Sequence, residues 1–235
     1  MKHYRQAHAD ILHALENASR ATARPNPIRL LAVSKTRTAA EVADLAGIGQ
    51  RAFGENYVQE ALPKIDALKA LGLEWHLIGH LQSNKARDAA RAFDWIQTID
   101  RAKLVTALAR QRPPALPPLN VLVQVNIDDE ASKHGCKPAE AMGLADLVAA
   151  ESRQRLRGLM AIPAPHEDQR RRVQAFAAMR ALFDDLARRH PGIDTLSMGM
   201  SGDFVAAIEQ GATMVRVGSA LFGPRAAPQQ ESIHE

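Results

Sequence analysis

The stretch LLAVSKTR, residues 30–37, decides between two α/β folds, because it shows how the first predicted strand ends. An apolar run leads into Ser34 and Lys35, and Lys35 is the only charge between Arg29 and Arg37. An open doubly wound sheet, the alternative fold, would place a glycine-rich phosphate turn here. The chain instead continues SKTRT, and it contains neither G-x-G-x-x-G nor the P-loop motif. The stretch therefore favours a closed parallel barrel, and it leaves open whether Lys35 is a solvated cap or a functional amine.

On either side of this stretch, short strand patterns alternate with longer helical patterns. Thr38 and Glu41 form a capping-box pattern at the start of one helix, and Asp100 is expected to cap another. Alternation of this kind predicts parallel pairing, and eight such units in about 250 residues fit a (β/α)8 barrel. We predict an α/β TIM barrel as a single domain over 1–235, with an N-terminal helix and connector at 1–27 and a frayed tail at 225–235. The predicted strands are 29–34, 51–53, 74–78, 95–99, 120–127, 156–162, 195–198 and 214–218.

Composition restricts the partners of this protein. The net charge of +4 and the pI near 9.5 favour an anionic small molecule. Aromatic residues are 4% of the chain, so base-stacking surfaces are scarce and we expect no nucleic-acid partner. Cys136 is the only cysteine, and the chain has no signal-peptide core and no apolar run of membrane-spanning length. We therefore expect a cytoplasmic protein without a membrane partner, and a monomer because no long apolar helix face stands out.

Several polar residues fall at the predicted carboxyl ends of the strands, where such barrels place their functional groups. The loops after strands seven and eight, MGMSGD and RVGS, offer Ser201, Gly218 and Ser219 to a phosphate. Because strand one pairs with strand eight in a closed barrel, Lys35 would lie beside this phosphate site and Arg216. Desolvation and the like charge of Arg216 would favour the uncharged, nucleophilic amine. This combination suggests a phosphorylated aldehyde, with pyridoxal 5′-phosphate (PLP) as the first candidate.

Each signal also has a simpler interpretation. A lysine at a strand end is more often a solvated cap, and glycine with serine is common in ordinary turns. A sugar-phosphate aldolase could also use Lys35, but such enzymes usually carry the lysine on a later strand. No metal site is predicted, because His76 and His80 lie on a strand and then a turn and would not share a helix face. Three methionines are expected in the barrel interior, namely Met160, Met198 and Met200.

Five motifs in order along the chain resemble those of the pyridoxal phosphate homeostasis proteins, a family similar to the barrel domain of alanine racemase. They are LLAVSKTRTAAEV, FGENYVQEALPKI, WHLIGHLQSNK, LSMGMSGDF and VRVGSALFG. The resemblance implies PLP bound as an internal aldimine on Lys35, with Arg216 facing the pyridine nitrogen and Asn56 making a polar contact near the lysine. It also implies a phosphate site made by Ser201, Gly218 and Ser219. The sequence departs from the family at His80, His134 and Cys136.

The family resemblance implies a non-enzymatic role in vitamin B6 homeostasis, and the residues bear on that point. Racemisation at a Cα needs an acid or base on each face of the substrate, and Lys35 could serve one face. Neither Tyr4 nor Tyr57 is clearly placed to serve the other. A cation such as Arg216 opposite the ring nitrogen would also weaken the ring as an electron sink. We therefore expect a PLP-binding homeostasis protein that supplies PLP-dependent apoenzymes, with an amino-acid racemase or lyase as the alternative.

Overall fold

The structure, a computed structural model, describes residues 2–22, 27–130, 133–164 and 168–223. Its eight strands form a closed barrel in sequential order, and β8 pairs in parallel with β1. The predicted barrel is therefore confirmed, with every predicted strand within two residues of an observed one. The strands are β1 Arg29–Val33, β2 Ala52–Glu55, β3 Glu74–Leu77, β4 Trp95–Ile99, β5 Leu119–Val125, β6 Gln154–Ala161, β7 Thr195–Ser197 and β8 Met214–Val217.

Helices surround this barrel, one before the first strand and at least one after each strand. They are α1 Lys2–Ala21, α2 Ala39–Ala46, α3 Val58–Ala67, α4 Ala86–Ala92, α5 Ala102–Gln111, α6 Pro138–Ala149, α7 Gln169–Arg189, α8 Phe204–Glu209 and α9 Ser219–Phe222. Short 3-10 turns follow α3 at Lys69–Leu71 and precede α4 at Ser83–Lys85. No helix within the described residues is both long and apolar enough to cross a membrane. Part of the predicted connector, 23–26, and the predicted tail lie outside the described residues.

The two predicted helix caps had different outcomes. Thr38 caps α2 through its hydroxyl, which accepts from the Glu41 N–H, while the Glu41 carboxylate accepts from the Thr38 N–H. The capping box is therefore confirmed. Asp100 does not cap α5, because the N-cap residue is Arg101. The Asp100 carboxylate instead accepts from the Arg101 guanidinium at 2.5 Å.

Alternation along the strands separates a helix-facing core from the barrel interior. In β1, Leu30 and Ala32 belong to the large core cluster beneath the helices, whereas Leu31 between them packs with Ile78 and Met214. A second interior cluster consists of Trp95, Leu122 and Met160. The apolar interior is therefore split into two small groups, which leaves room between strands for polar side chains.

The three methionines predicted in the barrel interior lie in three different places. Met160 lies inside the barrel as predicted. Met198 is buried but belongs to the helix-facing core, because its neighbour Ser197 takes the inward position. Met200 lies in the loop beyond β7 and is 40% exposed. The prediction was wrong for Met198 and Met200, since an interior assignment depends on strand register rather than on being near a strand end.

Candidate functional site

A cleft of about 340 Å³ opens at the carboxyl ends of β1 and β8. It brings together all six residues that the sequence predicted to bind a cofactor, namely Lys35, Asn56, Ser201, Arg216, Gly218 and Ser219. Apolar side chains complete its walls, namely Val33, Ile78, Ile162 and Met200. Among the described residues that line the cleft, the ionisable ones are Lys35, Arg37 and Arg216. This lining of cations, hydroxyls and apolar surface suits an anion that carries a flat apolar ring.

Lys35 reaches the cleft because of how β1 ends. The register of the barrel pairs Leu31 of β1 with Arg216 of β8, so the residues after β1 emerge beside the end of β8. Ser34 extends the pairing toward β2 through one more backbone hydrogen bond. Thr36 then has a φ of 64°, a left-handed conformation that is uncommon for residues other than glycine. The chain therefore turns away directly after Lys35 and leaves this lysine at the mouth.

A buried ion pair supports the end of β1 from behind. Lys64 Nζ of α3 lies 2.6 Å from Glu55 Oε1 of β2, and these side chains are 10% and 0% exposed. Both also bind Ser34, whose hydroxyl donates to Glu55 Oε1 at 2.6 Å and whose carbonyl accepts from Lys64 at 3.0 Å. The other oxygen, Glu55 Oε2, has no hydrogen-bond partner among the described residues. Ser34, the residue before Lys35, is therefore held in place by both members of a buried ion pair.

Arg216 enters the cleft from inside the barrel. Its side chain is fully buried, and its Nη1 donates to Ser197 Oγ at 2.7 Å while its Nη2 donates to the Ala161 carbonyl at 2.8 Å. Burial lowers the pKa of Arg216 to about 10. The guanidinium therefore stays charged at neutral pH, and it acts only as a hydrogen-bond donor.

A chain of buried polar side chains continues from Arg216 through the barrel interior. The Ser197 hydroxyl donates to Gln97 Oε1 at 2.7 Å, and Gln97 Nε2 lies 2.9 Å from His76 Nδ1. His76 Nε2 lies 2.6 Å from Glu74 Oε1. Sequence reasoning missed Ser197, Gln97 and Glu74 and expected only a packed or hydrogen-bonded His76, which is what the structure shows. Each of these three polar residues lies on a strand, and only the register of the closed barrel shows that Ser197 and Gln97 face inward.

The direction of every hydrogen bond in this chain follows from its two ends. A carboxylate only accepts, so His76 Nε2 carries the proton that points at Glu74. Burial lowers the pKa of His76, so its other nitrogen is an unprotonated acceptor for the Gln97 amide. The amide oxygen then accepts from Ser197, whose oxygen is left to accept from Arg216. The orientation of Arg216 is therefore coupled to Glu74, which itself binds Arg29 at 2.5 Å.

The loop that carries Ser201 depends on a glycine. Gly199 has a φ of 92°, and a Cβ added there would lie 2.6 Å from the Ala207 Cβ. Only glycine lets the loop after β7 pass this close to α8. The Asp203 carboxylate then accepts from the Met200 N–H at 2.6 Å, which curls the loop toward the start of α8. Ser201 consequently lines the same cleft as Gly218 and Ser219 of the β8 loop.

Asn56 is placed by a close backbone contact with the loop after β3. A Cβ added to Gly79 would lie 2.1 Å from the Asn56 carbonyl oxygen, so no side chain fits at that position. Asn56 lines the cofactor cleft, and it also lines a neighbouring cavity of about 430 Å³ together with His80 and His134. The two cavities therefore meet at Asn56.

The remaining reactive side chains noted in the sequence lie outside the cleft. Tyr4 packs edge-on against Phe222, and its hydroxyl lies 3.4 Å from Glu41. Tyr57 is 60% exposed and lines the neighbouring cavity. Cys136 is buried, and burial raises the pKa of its thiol to about 12. None of these three side chains lines the cleft beside Lys35.

Comparison with known proteins places this geometry among related barrels. The family model for the alanine racemase N-terminal domain matches residues 9–226. The pyridoxal phosphate homeostasis protein of Escherichia coli (strain K12) is 54% identical over 211 residues, which cover 88% of this chain and 90% of that protein. The protein of the same name from Pseudomonas aeruginosa is 50% identical over 218 residues, covering 92% and 94%.

Two solved structures describe the range of similar folds. PipY of Synechococcus elongatus PCC7942, solved with PLP bound, has a TM-score of 0.77 and 36% identity, covering 89% of this chain and 99% of that one. Alanine racemase from Corynebacterium glutamicum has a TM-score of 0.63 and 20% identity, covering 94% of this chain and 63% of the racemase. The second likeness concerns the fold alone.

Proposed function

The chain belongs to the pyridoxal phosphate homeostasis protein family, and we propose that it binds PLP and acts in the homeostasis of this cofactor. The observation that carries the proposal is the cationic cleft, in which Lys35 and Arg216 lie with the serine and glycine loops. The PLP-bound structure of the related PipY supports the same ligand.

Two groups of residues are proposed to hold PLP at opposite ends. When bound, PLP supplies an aldehyde carbon that a primary amine can attack and a phosphate that N–H and O–H groups can bind. Lys35 is the amine of the cleft and would bond covalently to that carbon, whose oxygen would leave as water. Ser201, Gly218 and Ser219 would hold the phosphate, since their loops offer hydroxyl and backbone N–H groups and no carboxylate lines the cleft within the described part of the chain. The ligand is therefore fixed by one covalent bond and one anion site.

Arg216 is proposed to face the ring nitrogen. Its guanidinium is fixed as a donor by the chain that begins at Ser197, and a donor-only cation keeps the ring nitrogen unprotonated. An unprotonated ring is a weak electron sink, which disfavours chemistry at the Cα of an amino acid. Asn56, which lines the same cleft, is proposed to add a polar contact near the amine.

We propose that the protein holds and releases PLP without catalytic turnover. Racemisation at the Cα of an amino acid would need a second acid or base on the face opposite Lys35. The ionisable residues among the described lining are all cations, namely Lys35, Arg37 and Arg216. Both tyrosines of the chain lie elsewhere, Tyr4 against Phe222 and Tyr57 in the neighbouring cavity. The alternative function is a PLP-dependent amino-acid racemase or lyase.

The cellular setting is also proposed. We expect a cytoplasmic monomer that passes PLP to apoenzymes. The exposed large apolar side chains of the described residues support a monomer, because they are spread over several segments: Leu12, Tyr57, Leu71, Leu147, Met200 and Val205. Analytical ultracentrifugation should give a single species with the mass of one chain, 25.6 kDa.

The test of this function compares holding with turnover. Purified protein should be yellow, should lose that colour on borohydride treatment, and should convert amino acids no faster than an equal concentration of free PLP. It should also activate a PLP-dependent apoenzyme when mixed with it. Racemase or lyase activity well above that of free PLP would replace the carrier role with the enzymatic alternative.

The series of hydrogen-bonded side chains behind Arg216 gives a separate prediction. Gln97→Leu should remove the link between Ser197 and His76, and a lost buried hydrogen bond of this kind costs about 1–3 kcal/mol in stability. Because Ser197 then loses the acceptor that orients its hydroxyl, Arg216 is held less firmly. We therefore also expect the visible absorption band of bound PLP to shift and PLP to leave faster during dialysis.

Gln154→Leu is the matched control for this prediction. Gln154 is also buried, and it donates to the Val105 carbonyl at 2.6 Å outside the cleft. Its loss should lower stability without changing the absorption of bound PLP. If Gln97→Leu and Gln154→Leu leave the spectrum equally unchanged, the chain does not orient Arg216 toward the ligand.

A further inference from the structure

Three side chains with metal-binding atoms meet at the barrel mouth, outside the PLP cleft. His80 follows β3, Asp100 follows β4 and His134 lies in the loop after β5, so they come from three neighbouring strand ends. One nitrogen or carboxylate oxygen from each residue lies within 4.8 Å of those of the other two. Residues this far apart in the chain share no motif, which is why the sequence alone did not connect them.

The carboxylate of this cluster is held in position by a neighbouring arginine. Arg101 Nη1 donates to Asp100 Oδ1 at 2.5 Å, and Arg101 Nη2 donates to the Leu81 carbonyl at 2.9 Å. The second oxygen, Asp100 Oδ2, lies 3.5 Å from His80 Nδ1. Hydrogen-bond donors placed like Arg101 orient the carboxylates that bind metal ions.

The two imidazoles lie unusually close together. The ring centroids of His80 and His134 are 3.8 Å apart, with 16° between the ring planes. Two imidazolium ions would repel each other at this distance. Each ring has a nitrogen that can offer a lone pair to a metal ion, and both rings lie beside the Asp100 carboxylate.

We propose that His80, Asp100 and His134 form a binding site for one divalent ion of the zinc class. Two imidazole nitrogens and one carboxylate are a ligand set that Zn²⁺ uses, whereas Mg²⁺ and Ca²⁺ prefer oxygen ligands. A bound ion lies in the plane of each imidazole ligand, so one of the stacked rings must turn. His134 is the exposed member and can turn without disturbing the core. The proposal does not depend on PLP binding.

The surroundings of the site suggest an open fourth position. His80 and His134 both line the cavity of about 430 Å³, which also reaches Asn56 and Lys85. A water molecule or a small anion could complete the coordination from this cavity. Because Asn56 lines the PLP cleft as well, the ion would lie next to the cofactor site. It would also link the loop that carries His134 to the residues after β3 and β4.

The test uses untagged, metal-free protein titrated with Zn²⁺ against a chromophoric chelator. We expect one ion per chain, with affinity reduced at least tenfold in His80→Ala and in His134→Ala and reduced to a lesser extent in Asp100→Asn. Co²⁺ in the same site should give a visible ligand-field spectrum that the histidine variants lose. His134→Ala is the decisive variant, because an exposed side chain is not needed for folding.

His190→Ala is the matched control, since His190 Nε2 lies 2.9 Å from Asp146 Oδ1 and offers one imidazole and one carboxylate without a second histidine. It should bind Zn²⁺ as the parent protein does. The proposal is overturned if the parent protein takes up no stoichiometric ion, or if His134→Ala binds Zn²⁺ as tightly as the parent.

Discussion

Lys35→Ala should lose the covalent attachment of PLP, and the purified variant should be colourless. The phosphate loops and Arg216 remain, so weak binding should persist. We expect affinity to fall on the order of 100-fold, equivalent to about 2.7 kcal/mol, because the variant lacks the amine that bonds to the aldehyde carbon. Equilibrium dialysis against PLP measures the fall in affinity. The absorption spectrum of the retained ligand shows whether the covalent attachment is lost.

Lys85→Ala is the matched control for the loss of an amine at the barrel mouth. Lys85 lines the neighbouring cavity and not the PLP cleft. Its replacement should leave both colour and affinity as they are in the parent protein. A yellow, borohydride-sensitive Lys35→Ala protein would show that another lysine carries the cofactor.

Lys64→Met should destabilise the fold by about 3–5 kcal/mol, because it leaves the carboxylate of Glu55 buried without its partner. Glu55 is 0% exposed, and its Oε2 already has no hydrogen-bond partner among the described residues. Ser34 also loses the ammonium that binds its carbonyl at 3.0 Å, so the end of β1 should loosen. Denaturant unfolding measures the stability, and PLP loading measures the effect on the adjacent Lys35.

Two further variants separate this effect from a general sensitivity to lysine loss. Glu55→Gln combined with Lys64→Met should recover part of the stability, since no buried charge is then left unpaired. Lys69→Met removes an ion pair with Asp66 whose side chains are 77% and 81% exposed, and it should cause no measurable loss. If Lys64→Met unfolds at the same denaturant concentration as Lys69→Met, the buried pair does not support β1.

Much of the fold could be predicted because its signals are local. Alternating strand and helix patterns indicated the barrel, and the capping box of Thr38 and Glu41 depends on residues three apart. The gathering of Lys35 and Arg216 also followed, because closure of any eight-stranded parallel barrel brings strand one beside strand eight. The barrel and the proximity of Lys35 to Arg216 could therefore be predicted from strand order alone.

The supports behind the cleft could not be predicted in the same way, because they depend on side-chain direction. Glu55 is the last residue of β2, and only the packing of α3 shows that its carboxylate binds Lys64 and does not line the cleft. Gln97 and Ser197 lie in strands that look uniformly buried, and only the register of the closed barrel shows that both face inward. His134 approaches His80 through a loop whose path no local pattern indicates.

The amine that carries PLP can be located directly. Protein loaded with PLP is reduced with borohydride, digested with trypsin and analysed by mass spectrometry. We predict the pyridoxyl group on the peptide LLAVSKTR, residues 30–37, with cleavage blocked after Lys35. Finding the group chiefly on Lys85 or Lys133 would contradict it.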